Sequence, residues 1–247
     1  MRTRYLDVDL LFDREEIHKK MEILINDKQA SYVCAVNANT ITVANNNPEF
    51  KTIVNQSGFN ICDGSLVALS YRYIYKKNAT PYPGPDFFID YLSKKKYRSV
   101  FLGSTKELLV SLRQKLAAID PDILGMKFLS LPFVSLEEFD YEEISTIINA
   151  DEVDIIWVSL GAPKQEEFMY RLRPFLNRGI MVGVGAAFSF YGDDNYKRAP
   201  EFIRKMCLEW LHRSITNLSV RKRFIRQIYY MPQLIAGEYK RKRERGL

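Results

Sequence analysis

Short apolar runs alternate with helix-like segments along most of the chain, and this alternation constrains the fold more than any other feature. Strand-like runs occur at residues 31–36, 59–62, 99–102, 126–129, 154–160 and 180–184. Segments with helical periodicity or helix-capping residues lie between them, and the connections are short. Repeated strand–helix units of this kind predict an α/β fold, with a Rossmann-like, mostly parallel sheet and helices on both of its faces.

The composition is that of a globular chain with a substantial apolar core. Of the 247 residues, 47% are hydrophobic and 27% are charged. The sequence does not begin with the apolar run of a secretion signal, and no uninterrupted apolar stretch is long enough to cross a bilayer. Cys34, Cys62 and Cys207 are widely spaced, which favours buried free thiols in a reducing compartment. We therefore expect a cytoplasmic protein, peripheral on the inner face of the cell membrane if it is membrane-bound.

The positive charge is concentrated near the end of the chain. The whole sequence carries +6, but residues 213–247 hold ten Lys and Arg against two acidic residues, a net +8, which leaves −2 for residues 1–212. This asymmetry predicts an α/β core at 1–212 and a basic C-terminal helical appendage at 213–247.

The appendage has the pattern of an amphipathic helix. One helical face would carry Asn217, Val220, Phe224, Ile228, Met231 and Ile235. Pro232 is expected to kink or interrupt this helix. A basic amphipathic helix is typical of an interfacial anchor on an anionic membrane, but it could equally dock on the core with its basic face in water. The apolar face favours these two interpretations over nucleic-acid binding.

One strand–turn–helix junction combines several features of an anion site. The apolar run 155–160 stops at Gly161, and Lys164, Gln165 and Glu166 fall in the first turn of the next helix. Ligands bind at such carboxyl ends of parallel strands, where the free N–H groups of the helix start favour an anion. Lys164 would add a mobile positive charge. The alternative is an ordinary turn in which Glu166 complements the helix dipole.

Other polar residues also follow predicted strands. Asp63 could act as a general base at the end of its strand, or it could cap the next helix, which the residues alone favour. Asn37 and Asn39 could bind a sugar, a base or a phosphate, or form a turn. Gly185 lies in a run of small residues that allows close approach of a ligand or of a helix.

The sequence gives little support for a metal or a nucleotide cofactor. No GxGxxG follows the first strand, and no GxxxxGK[ST] is present. The acidic pairs Asp7/Asp9 and Asp193/Asp194 lack a third ligand at a recognisable spacing. We therefore expect neither a metal site nor a cofactor.

Five motifs occur in a fixed order along the chain. They are Asp63-Gly64, Gly161–Glu166 (GAPKQE), Gly183–Phe188 (GVGAAF), Arg198–Pro200 (RAP), and Leu208–Leu211 (LEWL) with Arg213. Taken together, they resemble the WecG/TagA/CpsF family of bacterial glycosyltransferases over residues 30 to 215. The sharpest match is the segment that begins at Gly161.

This resemblance implies an inverting, metal-independent transfer of an N-acetylmannosamine-type sugar from a UDP-sugar to an undecaprenyl-diphosphate-linked acceptor. It implies that Asp63 is the general base and that Gln165 lines the donor pocket. Arg213, Arg221 and Arg223 are expected to help stabilise the leaving diphosphate. The implied partners are the two substrates and, through the basic appendage, an anionic membrane surface. No nucleic acid is expected, and a homo-oligomer is left open.

The chain departs from the family pattern at several positions. Asn37 stands where the family usually has Thr, and Ser189 stands where it usually has Asp. Pro81 replaces the arginine of an Arg-x-x-Gly-x-Asp motif, and a Glu-Pro-x-Arg element near residue 217 is not matched. Arg221 or Arg223 could substitute for the missing arginine. The alternative function is a catalytically weak member that binds a nucleotide-sugar, or acts as a scaffold, at the membrane.

Overall fold

The main sheet of the protein is parallel throughout. A computed structural model describes residues 3–196, 199–200, 202–203 and 218–244, with the backbone alone for residues 218–224. The strands are β1 (Thr3–Tyr5), β2 (Val8–Leu10), β3 (Ser31–Val36), β4 (Phe59–Cys62), β5 (Ser99–Gly103), β6 (Lys127–Leu129), β7 (Ile155–Ser159) and β8 (Ile180–Gly183). Six of them form the main sheet in the order β4–β3–β8–β7–β5–β6. The predicted α/β fold with a mostly parallel sheet is therefore confirmed.

Helices follow most of the strands, as the alternation of the sequence predicts. They are α1 (Arg14–Asn26), α2 (Ala38–Asn46), α3 (Pro48–Asn55), α4 (Ser65–Tyr75), α5 (Gly84–Leu92), α6 (Lys106–Ala117), α7 (Tyr141–Asn149), α8 (Lys164–Leu172), α9 (Ala187–Gly192) and α10 (Leu218–Glu244). Short 3₁₀ turns occur at Pro121–Gly125, Leu136–Glu138 and Arg173–Phe175. The connections between these elements carry Asn37, Asp63, Gly161 and Gly185 of the residues predicted to form a site.

The core has two layers, one on each face of the main sheet. Alternate side chains of β3 face opposite layers: Cys34 packs in the layer under α2, α3, α4 and α8, and Val33 packs in the layer under α1, α5, α6 and α9. Trp157, fully buried on β7, belongs to the second layer. Cys34 and Cys62 are buried free thiols, as predicted, and Cys207 lies outside the described residues.

A short antiparallel hairpin, β1–β2, precedes the first strand of the main sheet. The sequence pattern did not reveal it, because its strands have three residues each. The chain continues from β2 along the outer edge of β4. There the N–H of Leu11 donates to the carbonyl of Asn60 (2.9 Å), and the N–H of Cys62 donates to the carbonyl of Leu11 (3.2 Å). The hairpin therefore brings Leu11 and the residues after it to the edge of β4.

The C-terminal helix α10 docks on α2 and α4 through its second half. Met231 is buried in the core layer beneath it, and Arg241 donates to Asp7 at 2.9 Å. Glu238, also buried, accepts a hydrogen bond from Tyr75 at 2.5 Å. The docked interpretation is thus confirmed for this half of the appendage. The helix continues through Pro232, so Pro232 does not interrupt it, and the alternative of a kink stays a prediction.

No helix within the described ranges is both long enough and apolar enough to cross a membrane. This includes α10, whose apolar residues are interspersed with basic ones. The finding matches the absence of an apolar stretch of that length in the sequence.

Candidate functional site

Four predicted site residues come together at the carboxyl edge of the main sheet. Asp63 directly follows β4, Asn37 follows β3, and Gly185 and Gly161 lie just beyond β8 and β7. These four strands are neighbours in the order β4–β3–β8–β7. Parallel strands end at the same edge, about 4.8 Å from strand to strand, so the turns that carry these residues form one continuous surface.

The carboxylate of Asp63 is held in place by two N–H donors. The backbone N–H of Gly84, at the start of α5, donates to Oδ1 at 2.7 Å. The side-chain amide of Asn37 donates to Oδ2 at 3.1 Å. The N-cap residue of α4 is Gly64, which makes no side-chain cap hydrogen bond, so the interpretation of Asp63 as a helix cap is wrong. The residues around Asp63 instead fix the direction in which its carboxylate points.

Asn37 connects the start of α2 to this carboxylate. Its Oδ1 accepts hydrogen bonds from the backbone N–H groups of Asn39 (3.0 Å) and Thr40 (3.3 Å), as expected for an N-cap. That cap fixes the orientation of the amide, so its Nδ2 points at Asp63. Asn39 is buried at the start of α2, and its contact with a substrate stays a prediction. The turn-former and site interpretations of Asn37 are therefore compatible.

Gln165 links the start of α8 to the loop after β8. Its side chain is 3% exposed. Its Nε2 donates to Oε1 of Glu166 at 3.1 Å, and its Oε1 accepts from the N–H of Gly185 at 3.1 Å. A Cβ on Gly183 would lie 2.8 Å from this Nε2, so the glycine is needed for the close approach. The conformation of Gly185, with φ 56°, also favours glycine.

Glu166 is the residue of this surface that the sequence interpretation misjudged. One interpretation of the sequence has its carboxylate complement the helix dipole, but the side chain is fully buried. Its Oε2 has no hydrogen-bond partner among the described residues. The pKa of Glu166 is raised to about 8, first of all by burial and in smaller part by the charges of Glu167 and Asp63. The carboxyl group is therefore neutral at neutral pH. The sequence signal for this burial was the helical spacing, because the buried Met169 lies three residues after Glu166 on the same face of α8.

Lys164 contacts the loop after β6. Its ammonium group donates to the carbonyl of Val134 and lies over the rings of Phe133 (5.5 Å) and Phe139 (5.0 Å). The lysine is thus not the mobile charge that the sequence suggested, because it already ties this loop to the start of α8. Its contact with a substrate stays a prediction. Gly161, with φ 76°, makes the turn into that helix start.

The predicted arginine contacts belong to the C-terminal part of the chain. Arg213 lies outside the described residues, as do the motif residues Arg198 and 208–211. Arg221 and Arg223 lie on the backbone of α10, and their side chains are not described. Their roles therefore remain predictions from the sequence.

The acidic pairs considered as metal ligands form ion pairs instead. Asp9 pairs with Arg4 at 3.2 Å, Asp7 with Arg241 at 2.9 Å, and Asp194 with Lys115 at 2.6 Å. Across the part of the chain that the structure describes, no three His, Cys, Asp or Glu side chains are grouped to hold a metal ion. The chemistry of the described site thus rests on a carboxylate, amides and backbone N–H groups.

Comparison with known proteins agrees with this geometry. The sequence profile of the glycosyl transferase WecG/TagA/CpsF family matches residues 5–245. An N-acetylglucosaminyldiphosphoundecaprenol N-acetyl-beta-D-mannosaminyltransferase of Bacillus spizizenii is 25% identical over 217 residues, which cover 87% of this chain and 82% of the relative. A protein of the same name from Bacillus subtilis is 26% identical over 196 residues, covering 78% of this chain and 74% of the relative.

Proposed function

Because the chain belongs to the WecG/TagA/CpsF family and is a glycosyltransferase, we propose that it moves an N-acetylmannosamine-type sugar from a UDP-sugar to a sugar on undecaprenyl diphosphate. The transfer inverts the anomeric centre, requires no metal and serves the synthesis of a surface polysaccharide. The names of the two Bacillus relatives support the acceptor and the transferred sugar. Their identities of 25% and 26% leave the exact donor to be measured.

The observation that carries this proposal is the anchored carboxylate of Asp63. An inverting transfer needs a base that removes the proton of the acceptor hydroxyl as its oxygen attacks the anomeric carbon. Oδ1 of Asp63 accepts the N–H of Gly84 and Oδ2 accepts the amide of Asn37, and this fixes the direction of the carboxylate. The acceptor hydroxyl donates to this carboxylate. Because both anchors are fixed, little reorganisation is needed when the proton moves.

The other requirement is stabilisation of the leaving UDP. Negative charge grows on its diphosphate as the bond to the sugar breaks, and preorganised N–H donors lower the energy of that state. The start of α8, reached through the turn at Gly161, directs the positive end of the helix dipole to this edge of the sheet. Arg213, Arg221 and Arg223 would add positive charge from the C-terminal segment. The neutral state of Glu166 supports this assignment, since an ionised carboxylate there would oppose the anion.

The function is tested by release of UDP. Purified protein is incubated with a panel of UDP-sugars and a short-chain polyprenyl-diphosphate N-acetylglucosamine, with and without EDTA. We expect release that depends on the acceptor, persists in EDTA and is fastest with an N-acetylmannosamine donor. The lipid product is identified by mass spectrometry.

Two results would contradict the proposal in different ways. UDP-sugar binding without acceptor-dependent release would favour the binding or scaffold function, and Pro81, in place of the family arginine, would then be the first position to restore. Release abolished by EDTA and recovered with a divalent cation would refute the metal-independent mechanism.

We also propose that α10 attaches the enzyme to the inner membrane surface. Ile225, Ile228 and Tyr229 on its first half are 63%, 57% and 65% exposed, and Arg226 beside them is exposed as well. Apolar side chains next to basic ones favour the interface of an anionic bilayer. Changing Ile225, Ile228 and Tyr229 to Ser is expected to weaken binding to phosphatidylglycerol vesicles by roughly ten- to a hundredfold, because their apolar area no longer leaves water.

Vesicle co-sedimentation measures this effect. The matched control changes Ile23, Val110 and Leu124 to Ser, since these residues are 49%, 59% and 50% exposed but belong to the opposite side of the sheet. Equal loss of binding in both triple variants would show that α10 has no special role. Unchanged binding in the α10 variant would reject this helix as the anchor.

A further inference from the structure

An open groove of about 440 Å³ lies beside the outer edge of β4. Phe12 and Tyr71 form its apolar wall, with their rings stacked at a centroid distance of 4.4 Å. The exposed side chains of Arg14, Lys77 and Asn78 line the polar part. The carboxylates of Asp13, Glu15 and Glu16 line it as well. The groove thus combines an aromatic surface, an amide and charges of both signs, a combination that suits a polar ligand with apolar patches.

One wall of the groove begins at the edge of β4, close to the proposed base Asp63. Leu11 forms a parallel bridge with Ile61 of β4. Phe12 therefore lies beside Cys62, the last residue of β4, and Asp63 directly follows Cys62 in the sequence. The start of α1, which includes Arg14, continues this wall.

The other wall leads to the same carboxylate. The segment 77–80 runs into Tyr82, whose N–H donates to the carbonyl of Cys62 at 2.7 Å. Two residues later, the N–H of Gly84 donates to Asp63 at 2.7 Å. The first wall is therefore held beside Asp63 by the hydrogen bonds of Leu11 to β4, and the second is joined to Gly84 through a few residues of chain.

The strand order separates this groove from the expected position of the leaving diphosphate. The start of α8 follows β7, which lies three strands from β4, a distance of about 14 Å across the sheet. The groove lies beyond the outer edge of β4, so that Asp63 lies between the groove and the start of α8. In an inverting displacement, the nucleophile and the leaving group occupy opposite sides of the anomeric carbon. An acceptor that reaches Asp63 from the side of β4 would fit this arrangement.

We propose that this groove binds the sugar diphosphate of the lipid-linked acceptor, an inference that rests on the proposed function. The stacked Phe12 and Tyr71 contact the apolar face of the acceptor sugar, and Asn78 bonds its hydroxyl or amide groups. Arg14, whose guanidinium lies 4.3 Å from the ring centre of Tyr82, and Lys77 pair with the diphosphate. Asp13 and Glu15 on the same wall accept hydrogen bonds from sugar hydroxyls.

The test combines Lys77→Glu with Asn78→Ala, since both side chains are exposed and form no hydrogen bond within the described residues. The probe is farnesyl-diphosphate N-acetylglucosamine, and its binding is measured by calorimetry without donor. We expect at least a tenfold loss of affinity, as a charge-assisted contact is removed. In turnover, the KM for this acceptor rises and the KM for the UDP-sugar does not. Lys106→Glu, an exposed lysine on α6, is the matched charge control.

The possible results separate this inference from the proposed function. Acceptor-dependent transfer with an unchanged acceptor KM in the double variant would overturn the groove assignment and leave the transferase function intact. If no transfer occurs with any donor, the calorimetry tests the groove by itself. Loss of probe binding in the double variant alone supports the groove as the acceptor site. Equal probe binding in all variants rejects it. An equal loss in Lys106→Glu would show a general charge effect and likewise reject it.

Discussion

Replacing Asp63 with Asn is expected to lower the rate of transfer by about 10²–10⁴-fold, the usual contribution of a general base. The amide cannot take the acceptor proton, although its oxygen can still accept the N–H of Gly84. Its NH₂ group then faces the NH₂ group of Asn37, a donor–donor contact that costs on the order of 1 kcal/mol of folding stability. UDP-sugar binding, measured by calorimetry, is expected to persist, because the start of α8 is unchanged.

The control for this variant is Asp140→Asn. Asp140 is also an aspartate just before a helix, but its carboxylate caps α7 through the N–H of Glu143 at 2.8 Å. Asn is an equally good N-cap, so transfer and stability are expected to stay near the wild-type values. Wild-type turnover in Asp63→Asn would show that another group takes the proton. If circular dichroism shows that Asp63→Asn does not fold, Asp63 has a structural role.

Asp63 also shows where sequence patterns stop being informative. The strand ending at Cys62 could be predicted, because buried parallel strands are short apolar runs. A polar residue before a helix is most often a cap, so the local pattern favoured the wrong role. Its anchors are Asn37 and Gly84, 26 residues before it and 21 residues after it. Only the parallel pairing of β3 with β4 and the return of the chain into α5 bring these groups together.

Helix α2 is a second example of long-range contacts deciding local structure. The sequence pattern predicts a loop and an N-cap at Asn45 to Asn47. Asn47 does cap α3, but Asn45 and Asn46 end a helix. The amide of Asn45 donates to the carbonyls of Leu6 (2.9 Å) and Ile41 (3.0 Å). Leu6 lies in the turn of the β1–β2 hairpin, which the sequence pattern also missed. The two omissions are connected, because the hairpin supplies a partner that makes an asparagine favourable in this helix.

Glu166 is expected to make the stability of the protein depend on pH. Its pKa is raised from 4.5 to about 8 in the folded protein, first of all by burial, so the folded state keeps a proton that the unfolded state loses. The stabilisation is complete below pH 4.5 and is lost as the pH rises towards 8. The free energy of unfolding then falls by up to about 1.4 kcal/mol per pH unit within this window.

The variant Glu166→Gln removes this dependence. Glutamine has nearly the same shape and is neutral at every pH, so its Oε1 can still accept the amide of Gln165. Denaturant unfolding at several pH values between 5 and 8 measures the free energy of unfolding. Over this range the wild-type value is expected to fall relative to that of the variant by at least roughly 2 kcal/mol. The control is Glu152→Gln, whose carboxylate is 86% exposed beside Arg178.

If the free energy of unfolding depends on pH in the same way in the wild type and in Glu166→Gln, the carboxyl of Glu166 is already charged in the folded protein. That result would place a negative charge beside Gln165 at the start of α8, where the leaving diphosphate is expected. A falling wild-type curve would instead explain how a family of transferases that binds anions tolerates a glutamate in the first turn of α8. In that case the neutral acid would orient Gln165, which in turn holds Gly185, without adding negative charge where the proposed UDP departs.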